Sequence, residues 1–311
     1  MTLEFHGSRT TLIGPGRSDE QRVQVMSTGD FIDTANGRVL AELARGGRMV
    51  CFTGLPASGK SFLLREMVSV AVDRGRRVQL IRWDTGLASF QGAGVAARYP
   101  DVEDGSHPVI RKAAGLWARR AVALWAARHP DPVDMLIGEV PIIGNRYSEF
   151  VKQLPDDAER LLASNMTTFL YPVPTPELRT RLEAVRRTTF ANPQHPDEAK
   201  DAPPTTMELA WRLTCAKAVD LGLVRARDLK ERPEYDETVY RKLFDHLLQR
   251  RNARALRVDT LWPGGRSAHD LHYGVSELTA TPDEVSVAIA AVEAAMTPEQ
   301  AALYIENWHR P

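Results

Sequence analysis

Residues 54–61 read GLPASGKS, and no other stretch narrows the possible folds of this chain as far. Gly54, Leu55, Pro56, Ala57, Ser58, Gly59, Lys60 and Ser61 match G-x-x-x-x-G-K-[ST], a phosphate-wrapping loop that needs a strand before it and a helix after it. Both are present in the pattern. Residues 48–53 (RMVCFT) form a short apolar run suited to a buried strand, and residues 62–72 (FLLREMVSVAV) carry apolar side chains at helical spacing. Glycines let the backbone turn its N–H groups onto an anion, and the helix N-terminus adds its dipole. Lys60 would neutralise the β- and γ-phosphates and the Ser61 hydroxyl would coordinate Mg²⁺. The expected ligand is a nucleoside triphosphate.

The rest of the chain supplies a repeating strand–helix pattern. Further strands are predicted at residues 77–83, 133–140, 167–173 and 255–261, and helices at 30–44, 108–127, 208–221 and 235–250. Alternation of this kind implies an α/β fold, a three-layer sandwich around a mostly parallel five-stranded sheet. Ligands of such sheets sit beyond the carboxyl ends of the strands. Asp84 follows the second strand and Glu139 ends the third, so both fall at the edge that carries the glycine loop. Residues 1–29 read as an N-terminal arm, 30–261 as the core and 262–311 as a helical C-terminal extension. That extension contains two capping boxes, Thr281-Pro282-Asp283-Glu284 and Thr297-Pro298-Glu299-Gln300. Residues 174–207 interrupt the core: a helix capped at Thr175-Pro176 bears Arg179, Arg181, Arg186 and Arg187, and a proline-rich run unsuited to regular structure follows.

The loop and its flanks, FTGLPASGKS, resemble the P-loop kinases of small molecules, nucleotides and polynucleotide ends, including the zeta-toxin and polynucleotide-kinase groups; the likeness spans residues 47–261. The resemblance implies the sheet order 2-3-1-4-5. It also implies that Asp84 contacts the acceptor hydroxyl and can act as base, and that residues 174–207 form a lid whose arginines reach over the phosphates. One departure stands out. Where such proteins end the third strand in an aspartate, this chain has Gly138-Glu139.

Each candidate has a second reading. Asp84 can cap the following turn. Glu139 is either a Mg²⁺ or acceptor ligand or a structural ion-pair partner. Asn145 and Arg146, just past the third strand, suit an anionic acceptor, and Arg111 lies where a wall of the acceptor pocket would form; a surface arginine is the plainer reading of Arg146. Arg179 and Arg186, seven apart, share a helix face from which one or two arginines could reach phosphate, and a solvated charged helix is the other reading of the run. His269 and His272 lack a third ligand at metal spacing. Trp117 and Trp125 suit one apolar helix face packed on the sheet, or else a platform for a nucleoside.

Composition limits the function classes. Lys+Arg and Asp+Glu both number 40 in 311 residues, so no global basic field draws nucleic acid or lipid, although Arg111-Lys112 and Arg119-Arg120 could line a local groove. Two cysteines make no disulfide framework, no apolar run spans a bilayer and no secretory leader is visible, which predicts a cytoplasmic protein. The leading expectation is an ATP-dependent phosphotransferase acting on a small molecule or nucleotide. Its rivals are a kinase of nucleic-acid ends or modified bases and an ATP hydrolase or switch acting on a protein partner. No N-K-x-D guanine signature is present. The tail helices could cover the sheet or mediate a dimer.

Overall fold

The computed structural model describes residues 31–102, 105–193, 203–231, 233–262 and 274–310. The expected arm at 1–29, the middle of the proline-rich run, and His269 and His272 lie outside the described residues. In chain order come α1 (Ala35–Gly46), β1 (Met49–Phe52), α2 (Lys60–Asp73), β2 (Arg77–Arg82), α3 (Trp83–Ala88), α4 (Ala93–Arg98) and α5 (Pro108–Arg128). They are followed by β3 (Asp134–Glu139), α6 (Glu159–Leu162), β4 (Thr167–Pro174), α7 (Pro176–Ala191), α8 (Pro204–Asp220) and α9 (Glu237–Leu247). β5 (Ala253–Val258), β6 (Ser276–Glu277), α10 (Pro282–Ala295) and α11 (Pro298–Glu306) complete the fold.

The strands form one parallel sheet in the order β5-β4-β1-β3-β2-β6. The predicted five-stranded sheet is therefore corrected to six, with a further strand added beside β2. β6 is too short to show a periodic signal. It is held by its neighbour: Ser276 and Glu277 pair with Gln79 and Leu80, and the Arg82 guanidinium grips the Glu277 carboxylate at 2.8 and 2.6 Å. The tail read as helical thus also feeds the sheet.

Alternation along each strand creates the layers. Met49 and Cys51 of β1 join an apolar cluster with α5, α8, α9, α10 and α11, while Val50 and Phe52 join one with α1, α2 and the start of α7. The tail helices α10 and α11 pack along α5 and bury Val285, Ile289, Val292, Ala301 and Trp308 in the first cluster. Trp117 and Trp125 are buried in it too, with Trp125 Nε1 donating to Gln79 at 2.7 Å, so neither ring is open to a nucleoside.

Element ends follow local chemistry. α1 starts later than predicted because Thr34 caps it, its hydroxyl accepting from Gly37 N–H at 3.0 Å. α8 starts earlier, inside the run judged too proline-rich, because a proline at the first helical position loses no hydrogen bond. Asp236 caps α9 and shortens it relative to prediction, accepting from Thr238 and Val239 N–H. β5 is shifted to 253–258 by its pairing along β4, from Phe169–Ala253 to Pro174–Val258. No helix among the described residues is long and apolar enough to cross a membrane.

Candidate active site

The glycine loop joins β1 to α2 at the carboxyl edge of the sheet. Gly54 has φ +136°, and a Cβ there would come within 2.5 Å of the Tyr240 hydroxyl, so both backbone and space require glycine. Gly59 caps α2 with φ +93° and faces open space, so only its conformation requires glycine. Ala57 is left-handed as well, at φ +54°. A non-glycine residue held there reports local strain of the kind found at ligand sites.

Lys60 opens α2 and is buried; its ammonium donates to the Leu55 carbonyl at 2.8 Å and lies 3.8 Å from the Glu139 carboxylate. Burial pushes Lys60 below the usual lysine pKa; Glu139 and Asp84 oppose that shift, and Arg186 and Arg179 add to it. Those five side chains therefore share one electrostatic neighbourhood. Ser61, the predicted Mg²⁺ ligand, occupies the next position on the first turn, partly exposed.

Strand parity accounts for the Gly138-Glu139 departure. Along β3, Met135 and Ile137 point to the α2 layer and Leu136 to the α5 layer. Glu139 shares the parity of Ile137, towards α2 and the loop, whereas Gly138 faces the other way, where its Cβ would already touch Ile81 at 3.3 Å. A carboxylate at 139 thus faces the loop, whereas one at 138 would crowd Ile81 in the opposite layer. Hard oxygen donors from one hydroxyl and one carboxylate, completed by phosphate oxygens and water, suit Mg²⁺. Among the described residues no cluster of His, Cys, Asp or Glu would hold a metal independently.

Asp84 lies in the first turn of α3, directly after β2, and is exposed. Arg82, not Asp84, is the cap of that helix. Arg146 lies close enough for Asp84 to offset the burial that lowers its pKa. Asn145 is wholly buried at φ +59°, with its Oδ1 accepting from the Ser148 hydroxyl and its Nδ2 lacking a hydrogen-bond partner among the described residues. Ile142 and Tyr147 are left-handed too, which makes the turn after β3 a second strained segment at this edge. Arg111, read from sequence as a pocket wall, instead braces that turn: it donates to the Ser106 carbonyl at 2.8 Å and to the Gly144 carbonyl at 3.3 Å.

The arginine helix divides by face. Arg181 and Arg187 are exposed, whereas Arg179 is buried and Arg186 partly so, and both of these add to the downward shift of Lys60. Arg179 is only 2% exposed. Its Nη1 donates to the carbonyls of Pro56 and Ala57 at 2.6 and 3.2 Å, and its Nε donates to Glu183 at 2.7 Å. The guanidinium lies 5.7 Å over Tyr235, while Nη2 is buried without a hydrogen-bond partner among the described residues. Arg179 therefore clamps the loop from behind. Sequence reading missed the aromatic wall that supports this clamp, Trp211, Tyr235, Tyr240 and Phe244, whose rings lie 4.5–5.9 Å apart in succession. The i, i+4 spacing of Tyr240 and Phe244 in α9 was the available signal.

The groove imagined from Arg111-Lys112 and Arg119-Arg120 does not form, because three of these side chains are buried. Arg119 is held by Asp156 and Glu159 at 2.6 and 2.8 Å, and Lys112 by Glu149 at 3.3 Å. A cleft of about 860 Å³ opens at the opposite edge of the sheet, lined by Arg76, Arg77, His129, Asp131, Asp134 and Ser276. Arg77 there pairs with Asp134 at 2.7 Å and Asp131 at 3.0 Å, and the cleft is remote from the glycine loop. Comparison with known proteins gives no matching protein-family model, no matching curated protein and no matching solved structure.

Proposed function

We propose that the protein is a P-loop kinase, an ATP-dependent phosphotransferase acting on a hydroxyl or phosphate of a small-molecule or nucleotide acceptor. The observation that carries this reading is the convergence of Lys60, Glu139, Asp84, Arg179 and Arg186 on one electrostatic neighbourhood at the carboxyl edge of the sheet. Phosphoryl transfer asks for positioning and charge neutralisation more than for covalent chemistry from the protein. The loop N–H groups and Lys60 hold the β- and γ-phosphates. Mg²⁺, held by Ser61, Glu139 and the phosphates, would neutralise charge on the bridging region. The acceptor oxygen attacks the γ-phosphorus, the bond to the β–γ bridging oxygen breaks, ADP leaves, and Asp84 takes the acceptor proton when the acceptor is a hydroxyl. Arg186, on α7, would reach over the transferring phosphoryl group.

The buried positions of Lys112 and Arg119 weigh against a nucleic-acid groove along α5. Lys60→Ala and Asp84→Asn test the roles. Lys60→Ala should lose nucleotide affinity, whereas Asp84→Asn should bind ATP as wild type does and lose transfer by roughly 10²–10⁴-fold, the usual contribution of a positioned base. Transfer at the wild-type rate by Asp84→Asn would remove Asp84 from the mechanism.

A further inference from the structure

Phe62 follows Ser61 on the first turn of α2, and Trp262 follows β5; both are partly exposed. Their rings are nearly parallel, 8° apart with centroids at 6.4 Å, and the buried Phe31 meets each edge-on at 5.3 Å. A buried ring perpendicular to two others fixes their planes, so the partly exposed Trp262 is held rather than free to rotate. The platform packs against the α1–α2 core and still keeps part of its surface open beside the phosphate loop, as a ring too large to be fully covered can.

Strand order says what would use it. Asp84 and Glu139 lie on the β3–β2 side of β1, and β5, whose end leads into Trp262, lies on the other side. A nucleoside triphosphate seated on the loop with its γ-phosphate toward Glu139 and Asp84 must run its α-phosphate and nucleoside the opposite way. The first turn of α2, with Phe62, lies where the chain of phosphates leaves the loop. We infer that the nucleobase of the donor nucleotide stacks on Trp262, with Phe62 and Phe31 holding that ring in place. The inference deepens the kinase reading and rests on it. Every base has a π-face, so stacking of this kind supplies affinity without strong choice among bases.

Full-length protein titrated by calorimetry with Mg·ATP and, separately, with Mg·tripolyphosphate provides the test. Tripolyphosphate reports the loop alone, so its failure to bind wild type, together with failure of ATP, would overturn the kinase reading itself. With both bound by wild type, Trp262→Ala should weaken ATP by roughly 5- to 100-fold, the span for loss of a stacking aromatic, and leave tripolyphosphate unchanged. Unchanged ATP affinity, or equal weakening of both ligands, would overturn the stacking assignment. Trp262→Phe covers the case in which the alanine variant does not fold. It keeps a ring, so ATP affinity should hold within a few-fold, while the ATP-induced quenching of tryptophan emission expected of wild type should be lost. Quenching that persists in Trp262→Phe would place the base on another side chain.

Discussion

Replacing Arg179 by alanine removes the clamp behind the phosphate loop. A hydrogen bond to a charged group contributes about 1.5–3 kcal/mol, and Arg179 Nη1 serves the Pro56 and Ala57 carbonyls, the first at 2.6 Å and the second, weaker, at 3.2 Å. The pair with Glu183, whose side chain is 28% exposed, adds no more than about 1 kcal/mol. One guanidinium makes all these contacts, so they do not simply add, and the expected loss is about 3–4 kcal/mol. At about 2 °C per kcal/mol for a chain of this length, the melting temperature should fall by roughly 6–8 °C. The loop would also lose its preset shape. Saturating Mg·ATP should therefore raise the melting temperature of Arg179→Ala by much less than that of wild type, since ligand stabilisation follows affinity. Arg179→Lys should fall between the two, because one ammonium cannot fork to several acceptors. Thermal melts with and without Mg·ATP measure both effects. An alanine variant melting within about 1 °C of wild type, with an undiminished response to ATP, would refute the clamp.

Two predictions concern the charged cluster behind α5. Gly115→Ala should raise helix propensity, yet its Cβ would land on the buried Glu149 carboxylate, so overpacking should win and cost about 1–3 kcal/mol in chemical denaturation; a stabilised variant would show that the carboxylate can move aside. Lys152, buried and lying 4.2 Å from the Tyr304 ring, has its pKa lowered to about 8 by burial, with Glu149 opposing and Lys112 reinforcing the shift. Unfolding restores the ordinary value of 10.5, so the unfolded chain binds more protons between these limits. Stability of wild type relative to Lys152→Met should therefore climb from about pH 8 to about pH 10.5, by at most about 3 kcal/mol, and a flat difference across that window would contradict the burial argument.

What could be read from the sequence follows the kind of constraint each residue obeys. The placement of Gly54, Gly59, Lys60 and Ser61 between a strand and a helix was legible because their fixed spacing goes with that local structure, and the placement of Asp84 and Glu139 because strand ends are visible in the apolar pattern. That Glu139 rather than position 138 faces the loop is also a matter of parity along β3. The roles of Arg179 and Arg111 were not legible. Whether a guanidinium meets a ligand or a carbonyl depends on the partner the fold brings to it, and here those partners were Pro56, Ala57, Ser106 and Gly144. The same holds for Lys112 and Arg119, which look like a basic stripe until Glu149, Asp156 and Glu159 close over them. β6 carries no signal of its own, since its pairing comes from the exposed edge of β2.

The most direct measurement is the fate of the γ-phosphate. Labelled ATP and Mg²⁺ are incubated with the protein and with pooled nucleosides, nucleotides, sugars, amino acids and DNA and RNA oligomers, using Lys60→Ala as control. A kinase moves label onto an organic product in the wild type and not in the control, and the labelled pool names the acceptor class. Label released only as inorganic phosphate, at one rate with or without any pool, would contradict phosphotransfer to an acceptor and leave a nucleotide hydrolase in its place.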